Sequence, residues 1–184
     1  MNIFYLDNDP RICAEMHLDK HCVKMILEYA QLLSTAQRIL DGKEVQGVSK
    51  SGRKAKRWEL PDERDAALYK ASHMNHPSAK WARHSACNYR WLFKLWIELM
   101  REYNYRYGKI HSAARLIPYL KELPKNIPEN GFCAPWRAMP EEYKSNNPVK
   151  SYRDYYASKP RMRYPKDKVP DWFLKRRKLP FQAI

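Results

Sequence analysis

Lys20, Lys24 and Glu28 fall four residues apart in the stretch LDKHCVKMILE, with Asp19 and His21 beside them. On a helix this spacing puts the three side chains on one face. A carboxylate held among cations suits a general base, or a group that stabilises developing positive charge. The same triplet also fits an ordinary solvated face, where such pairs contribute roughly 0.2–0.5 kcal/mol each.

Three more segments have residue types that suit a polyanion. Asn75-His76-Pro77 reads as the opening of a helix, where unpaired N–H groups and the helix dipole favour an anion; capping by Asn75 or His76 is the alternative. YNYRYGK interleaves Tyr105 and Tyr107 with Arg106 and Lys109, which suits stacking on bases and contact with phosphate, although an interior helix end has the same look. KSGRKAKRW carries Arg53, Lys54, Lys56 and Arg57, and reads as a flexible basic loop that either is solvated or lies on phosphates. Arg83 joins this set as a cation in the helix that Pro77 opens.

Metal and nucleotide chemistry find less support. His17 and His21 share a helical spacing, and His73 and His76 form a second pair, but zinc needs three or four convergent ligands. Nothing in the sequence joins the two pairs, and Lys20 and Lys24 would repel a cation. No Walker A motif and no GxGxxG occurs. The expectation is no metal and no cofactor. A Cys–His nucleophile has no distinctive flank at Cys13, Cys22, Cys87 or Cys133.

The elements that must position these residues read mostly as helices. MNIFYL is an apolar run, either a strand or a buried N-terminal arm. Asp9 then caps a short helix over about 10–16, with Pro10 in its first turn. Asp19 caps a longer one reaching about Leu40, whose buried stripe is Cys22, Ile26, Tyr29, Leu33, Ala36 and Leu40. Residues 42–60 form the basic loop, with three of the five glycines. A helix over 61–72 follows, its N-terminal end favoured by Asp62, Glu63 and Asp65. A central helix runs from Pro77 to Tyr107 and stops at Gly108, with Trp81, Cys87, Trp91, Leu95, Leu99 and Tyr103 on its core side. Shorter helices are expected over 112–121 and 148–157, and the rest of the Pro-rich tail wraps in extended form. The expected class is therefore all-α: a single domain over 1–184, with a helical core over 1–110 and a basic, aromatic wrap over 124–184.

Composition limits the partners. The net charge of +15 on 184 residues favours a polyanion, because each neutralised phosphate releases counterions. Six Trp and thirteen Tyr indicate a packed protein rather than a disordered tail. No apolar run approaches the roughly 18 residues a membrane span needs, so no membrane is expected. With no signal peptide or CxxC pair, the expectation is reduced thiols in a cytoplasm.

The order Asp19-Lys20-His21, Glu28, Gln31, then Asn75-His76-Pro77 with Trp81, then Tyr105 to Gly108, resembles the pyrimidine-dimer DNA glycosylase/AP lyase family. This is the phage endonuclease V type, with its looser phage and bacterial relatives. The resemblance spans about 1–110, and the tail matches only through terminal aromatic and basic residues. It implies a compact, mostly helical domain, monomeric, that bends damaged or modified double-stranded DNA and flips a base out of the stack, in a bacterial or phage-infected cell. It further implies that the amine of the mature N-terminus attacks sugar C1′ and forms a Schiff base. A glutamate assists sugar opening and β-elimination, and the matching residue is Glu28, nine positions after Asp19. His21 matches a histidine of the same helix, and Lys20 and Lys24 would face phosphate. Trp58, Tyr105 or Tyr107 would fill the gap left by a flipped base.

One departure concerns the nucleophile. The family exposes a small residue after its initiator methionine is removed, whereas Asn2 follows Met1 here. Met1 supplies the amine, or Asn2 is exposed, or Lys20 substitutes, or the lyase chemistry is lost. A non-catalytic nucleic-acid-binding protein and another base-modifying enzyme that retains Glu28 are the competing readings.

Overall fold

In a computed structural model of the protein, residues 2–48, 52–159, 163–165 and 168–177 are described. Met1, Lys50 and the last seven residues of the basic tail lie outside them.

Helix α1 (Pro10–Glu15) starts as expected: the Asp9 carboxylate accepts from the N–H groups of Arg11 and Ile12, and Pro10 fills the first turn. Helix α2 (Asp19–Asp41) buries Cys22, Ile26, Tyr29, Leu33 and Ala36 as one stripe. Leu18, not Asp19, is its N-cap, and it has no side-chain cap. The Leu18 N–H donates instead to the Tyr156 hydroxyl (2.8 Å), while the Asp19 carboxylate turns to Arg106.

The all-α expectation does not hold. Residues 42–60 are not a loop: β1 (Lys43–Val48) and β2 (Lys54–Glu59) form an antiparallel hairpin that pairs Lys43 with Glu59 and Val48 with Lys54, so the chain mixes helix and strand. Its root is fixed by Arg38, whose fully buried guanidinium donates to the carbonyls of Trp58, Asp65, Leu68 and Tyr69 and pairs with the Asp65 carboxylate. Gly42 makes the junction, because a Cβ there would stand 2.5 Å from the Arg38 carbonyl oxygen.

That clamp also explains why the helix expected over 61–72 shrinks to α3 (Arg64–Ala67). Asp65 is taken by Arg38, while Asp62 and Asp41 are taken by Arg64. Burial raises the Asp41 carboxyl, but Arg64 and the N–H groups of Lys125 and Asn126 outweigh it; Arg64 likewise holds Asp62, and the Leu60 N–H with Arg38 holds Asp65, below the ordinary range.

The long central helix is two helices. After α4 (Pro77–Ala82) the chain breaks at 83–85, and the Ser85 hydroxyl accepts from Asn88 N–H to start α5 (Ala86–Tyr107). Gly108, at φ 63°, closes α5 in the left-handed region, where glycine carries no Cβ penalty. A 3₁₀ turn (Ser112–Leu116) and α6 (Ile117–Leu120) replace the helix expected over 112–121. Helix α7 (Pro148–Ala157) begins at the Asn147 cap, and α8 (Asp171–Arg177) was not expected in the tail.

One hydrophobic core gathers residues from Ile3 to Phe173, with α1 and α2 packed on α5 and the tail helices closing one side. No helix among the described residues is long and apolar enough to cross a membrane.

Candidate functional site

The opening apolar run is an arm without strand pairing. Ile3, Phe4, Tyr5 and Leu6 are all buried, and side chains rather than a sheet meet backbone groups of Ile3, Phe4 and Leu6. The Phe4 N–H donates to the Tyr29 hydroxyl (3.2 Å), the Phe4 carbonyl accepts from the Cys13 thiol (3.1 Å), and Leu6 N–H donates to Cys13 Sγ (3.3 Å). Burial pushes the Cys13 thiol up to about 12, so it serves as a packed hydrogen-bonding group and not a nucleophile.

His17 locks this arrangement. Its Nδ1 faces the Cys13 carbonyl (2.8 Å), which only accepts, so Nδ1 carries the proton. Its Nε2 is then an acceptor for the Tyr29 hydroxyl at 2.9 Å. Burial lowers its pKa to about 4, and Arg106 pushes in the same direction. With both nitrogens occupied, His17 is not free to ligate a metal beside His21, and the described residues hold no group of three or more His, Cys, Asp or Glu placed to do so.

His21 stands in the first turn of α2 and is 7% exposed. Its ring stacks on Phe4, with centroids 4.6 Å apart and planes at 14°, and meets Tyr156 at 5.0 Å. Its Nδ1 is buried without a hydrogen-bond partner among the described residues. Burial takes its pKa down to about 3, with the neighbouring His17 and the charges of Lys159 and Lys24 adding to the effect. A neutral imidazole thus lies beside two ammonium groups.

Glu28 is two turns further along the same helix. Its side chain is 14% exposed, and the Lys24 ammonium stands 3.1 Å from one carboxylate oxygen. The Glu28 charge also reaches His76, where it opposes the lowering of that pKa by burial and by His73. His76 uses Nδ1 to cap α4, accepting from Ser78 N–H at 3.1 Å, so capping is what this side chain does at the turn. Asn75 is exposed beside it. Arg83 holds the turn through the Met74 carbonyl (2.9 Å) and keeps Nη1 buried without a partner among the described residues. Lys20 is exposed at the start of α2.

Asn2 is tied to the tail: its amide donates to the Ala138 carbonyl (2.8 Å), and its Oδ1 accepts from Ile3 N–H (2.9 Å). The sequence reading missed Lys159, just after α7. Its Nζ stands 4.2 Å from the Tyr155 ring centroid and 5.5 Å from that of Phe4, adding a cation to the Phe4–His21 cluster. No local motif marks it, because the contact spans most of the chain.

The basic aromatic end of α5 divides in two. Arg106, expected on phosphate, is an internal clamp. Its guanidinium is 3% exposed and donates to Glu102 (2.6 Å), to the carbonyls of His17 (2.9 Å) and Glu15 (3.0 Å), and to Asp19. Tyr105, by contrast, is 70% exposed with Lys168 Nζ at 4.1 Å from its ring centroid. With Tyr107, Asp19 and Pro165 these two line an open cleft of about 500 Å³. Lys109 is exposed just beyond Gly108. Lys54 and Lys56 are exposed on the hairpin, together with Arg53, while Arg57 is half-buried across Gly47 and Trp58 sits half-buried at the root.

The structure thus brings together Lys24, Glu28, His21 and the N-terminal arm, with His76 in electrostatic reach. The hairpin and the Tyr105 cleft are separate features. Comparison with protein families, with curated proteins and with solved structures finds no match to this chain.

Proposed function

We propose that this protein is a DNA glycosylase with AP lyase activity on damaged or modified pyrimidines, using an N-terminal amine assisted by Glu28. The observation that carries the reading is the anchoring of the N-terminal arm on the helix that bears Glu28, through Phe4 on His21 and Phe4 N–H on Tyr29. A protein that uses its own N-terminus as a nucleophile must hold that end of the chain in place, and burial with backbone hydrogen bonds does so.

In the proposed reaction the α-amine, of Met1 or of Asn2 after processing, attacks C1′ of the target nucleotide. An ordinary α-amine has a pKa near ~8, so part of it is neutral and nucleophilic at pH 7. The N–C1′ bond forms as the C1′–base bond breaks, and the base leaves with the pair of electrons and takes up a proton. Ring opening gives the imine. A carboxylate at Glu28 then accepts the C2′ proton, and the C3′–O bond breaks with loss of the phosphate. Lys20 and Lys24 supply positive charge for the flanking phosphates. The neutral His21 and its aromatic neighbours make the floor of the site rigid without adding a competing acid.

The test is Glu28→Gln, which keeps the size and removes the base. Strand cleavage at an abasic site should fall by at least about 10²-fold while duplex affinity stays within about twofold. Undiminished cleavage would remove Glu28 from the mechanism.

A further inference from the structure

The hairpin lies outside the site above, and its construction is unusual for an element held by folding alone. None of the described residues of β1 and β2 is buried. A two-stranded hairpin in water is at best marginally stable, and this one has one face only half-buried, at Val45, Gly47, Ala55 and Arg57, and the other exposed except at Trp58. Its root, however, is fixed hard by Arg38 on the Trp58 carbonyl (2.8 Å). Residues 43–48 and 53–59 carry five Lys or Arg against two Glu. Glu44 is engaged by Lys56 at 2.8 Å.

Register sorts the side chains. Val48 faces Lys54, Gln46 faces Lys56 and Glu44 faces Trp58 across the ladder, so these share one face, and all but Trp58 are exposed. Arg57 lies across Gly47 on the other face and donates to the Val48 carbonyl (3.1 Å). The blade is six residues per strand, about 20 Å long, with its strands about 5 Å apart.

These dimensions and this charge choose among polyanions. The major groove of B-DNA, about 12 Å wide, admits a two-stranded ribbon; the minor groove, about 6 Å wide, does not. The major groove of duplex RNA is deep and too narrow for side chains to read. We infer that the β1–β2 hairpin is a groove-seated arm, entering the major groove of duplex DNA with Gln46 toward the base edges and Lys54 and Lys56 on the flanking phosphates. This rests on DNA as the partner in the proposed function, not on the chemistry assigned to Glu28.

The experiment measures equilibrium binding of the full chain to a short DNA duplex across a salt series, with Lys54→Ala/Lys56→Ala alongside the unaltered protein. Both lysines are exposed, so the melting temperature should not move. Affinity near 100 mM salt should fall about tenfold, and the log–log salt slope should become shallower by about 2, as two phosphate neutralisations are lost. A duplex with bulky groups on pyrimidine C5 should weaken the unaltered protein toward the variant and leave the variant little changed. A minor-groove-binding polyamide should compete with neither.

An unchanged slope, competition by the polyamide without an effect of the C5 groups, equal or tighter binding to an RNA duplex of the same sequence, or no binding to any duplex would each overturn the assignment. Intact binding by this pattern without any cleavage or covalent trapping would sink the lyase reading and leave the arm standing.

Discussion

Phe4 lies flat on His21, ring centroids 4.6 Å apart and planes 14° from parallel, and this contact fixes the N-terminal arm to the helix that carries Glu28. Aromatic pairs of this kind add about 0.5–1.5 kcal/mol beyond the area they bury. The contact links the fold to the proposed chemistry, since an arm that shifts takes the N-terminal amine with it.

Phe4→Leu keeps an apolar side chain and loses the stack. Unfolding in urea should show a loss of about 1–2 kcal/mol. Trapping on abasic DNA should slow by more than the unfolded fraction explains, on the order of tenfold. A variant that is destabilised but traps at the normal rate would show that the arm does not position the nucleophile.

Arg106→Ala should be among the most damaging single changes. It strands the buried Glu102 carboxylate, leaving Lys168, at 2.9 Å, as its ion-pair partner among the described residues. Removing one partner of a buried ion pair costs about 3–5 kcal/mol. Arg106→Lys should recover only part of that, because an ammonium cannot bridge Glu102 and two carbonyls at once. If either variant kept full stability and instead lost salt-dependent DNA affinity, Arg106 would be a phosphate contact after all.

Stability should fall steeply with acid. His17 and His21 have folded pKa values of about 4 and about 3, below the ordinary 6.5. The unfolded chain therefore binds protons first as pH falls through 6.5, and their contribution, complete above that pH, is lost progressively on the way to about 4 and 3. Each adds a slope of up to about 1.4 kcal/mol per pH unit within its window. His21→Phe should flatten the fall in unfolding free energy between pH 6 and 4 by about half. An unaltered slope would place the acid sensitivity elsewhere.

Much of the helical frame was legible because it rests on local chemistry. Asp9-Pro10 and Gly108 mark helix ends through capping and a left-handed turn, and the α2 stripe is a regular apolar period. The break between α4 and α5 was hidden because both helices bury the same side, so the period runs through it; Ser85, three before Asn88, was the available sign. The hairpin was masked by its own charge: KEVQGV and KAKRWE hold too few β-branched residues to read as strands, although Gly52, at φ 78°, marks a turn between them. Arg106 and Lys159 could not be placed at all, because their roles are set by partners more than eighty positions away. Only Glu102, one turn before Arg106, hinted that the arginine was already paired.

The central claim is that an amine at the N-terminus attacks the sugar. Borohydride reduction of the protein on duplex DNA bearing an abasic site, followed by peptide mapping of the adduct, tests it most directly. The account predicts a covalent complex whose modified peptide is the N-terminal one, at Met1 or Asn2. No adduct, with tight binding in the same sample, or an adduct confined to Lys20, would contradict it.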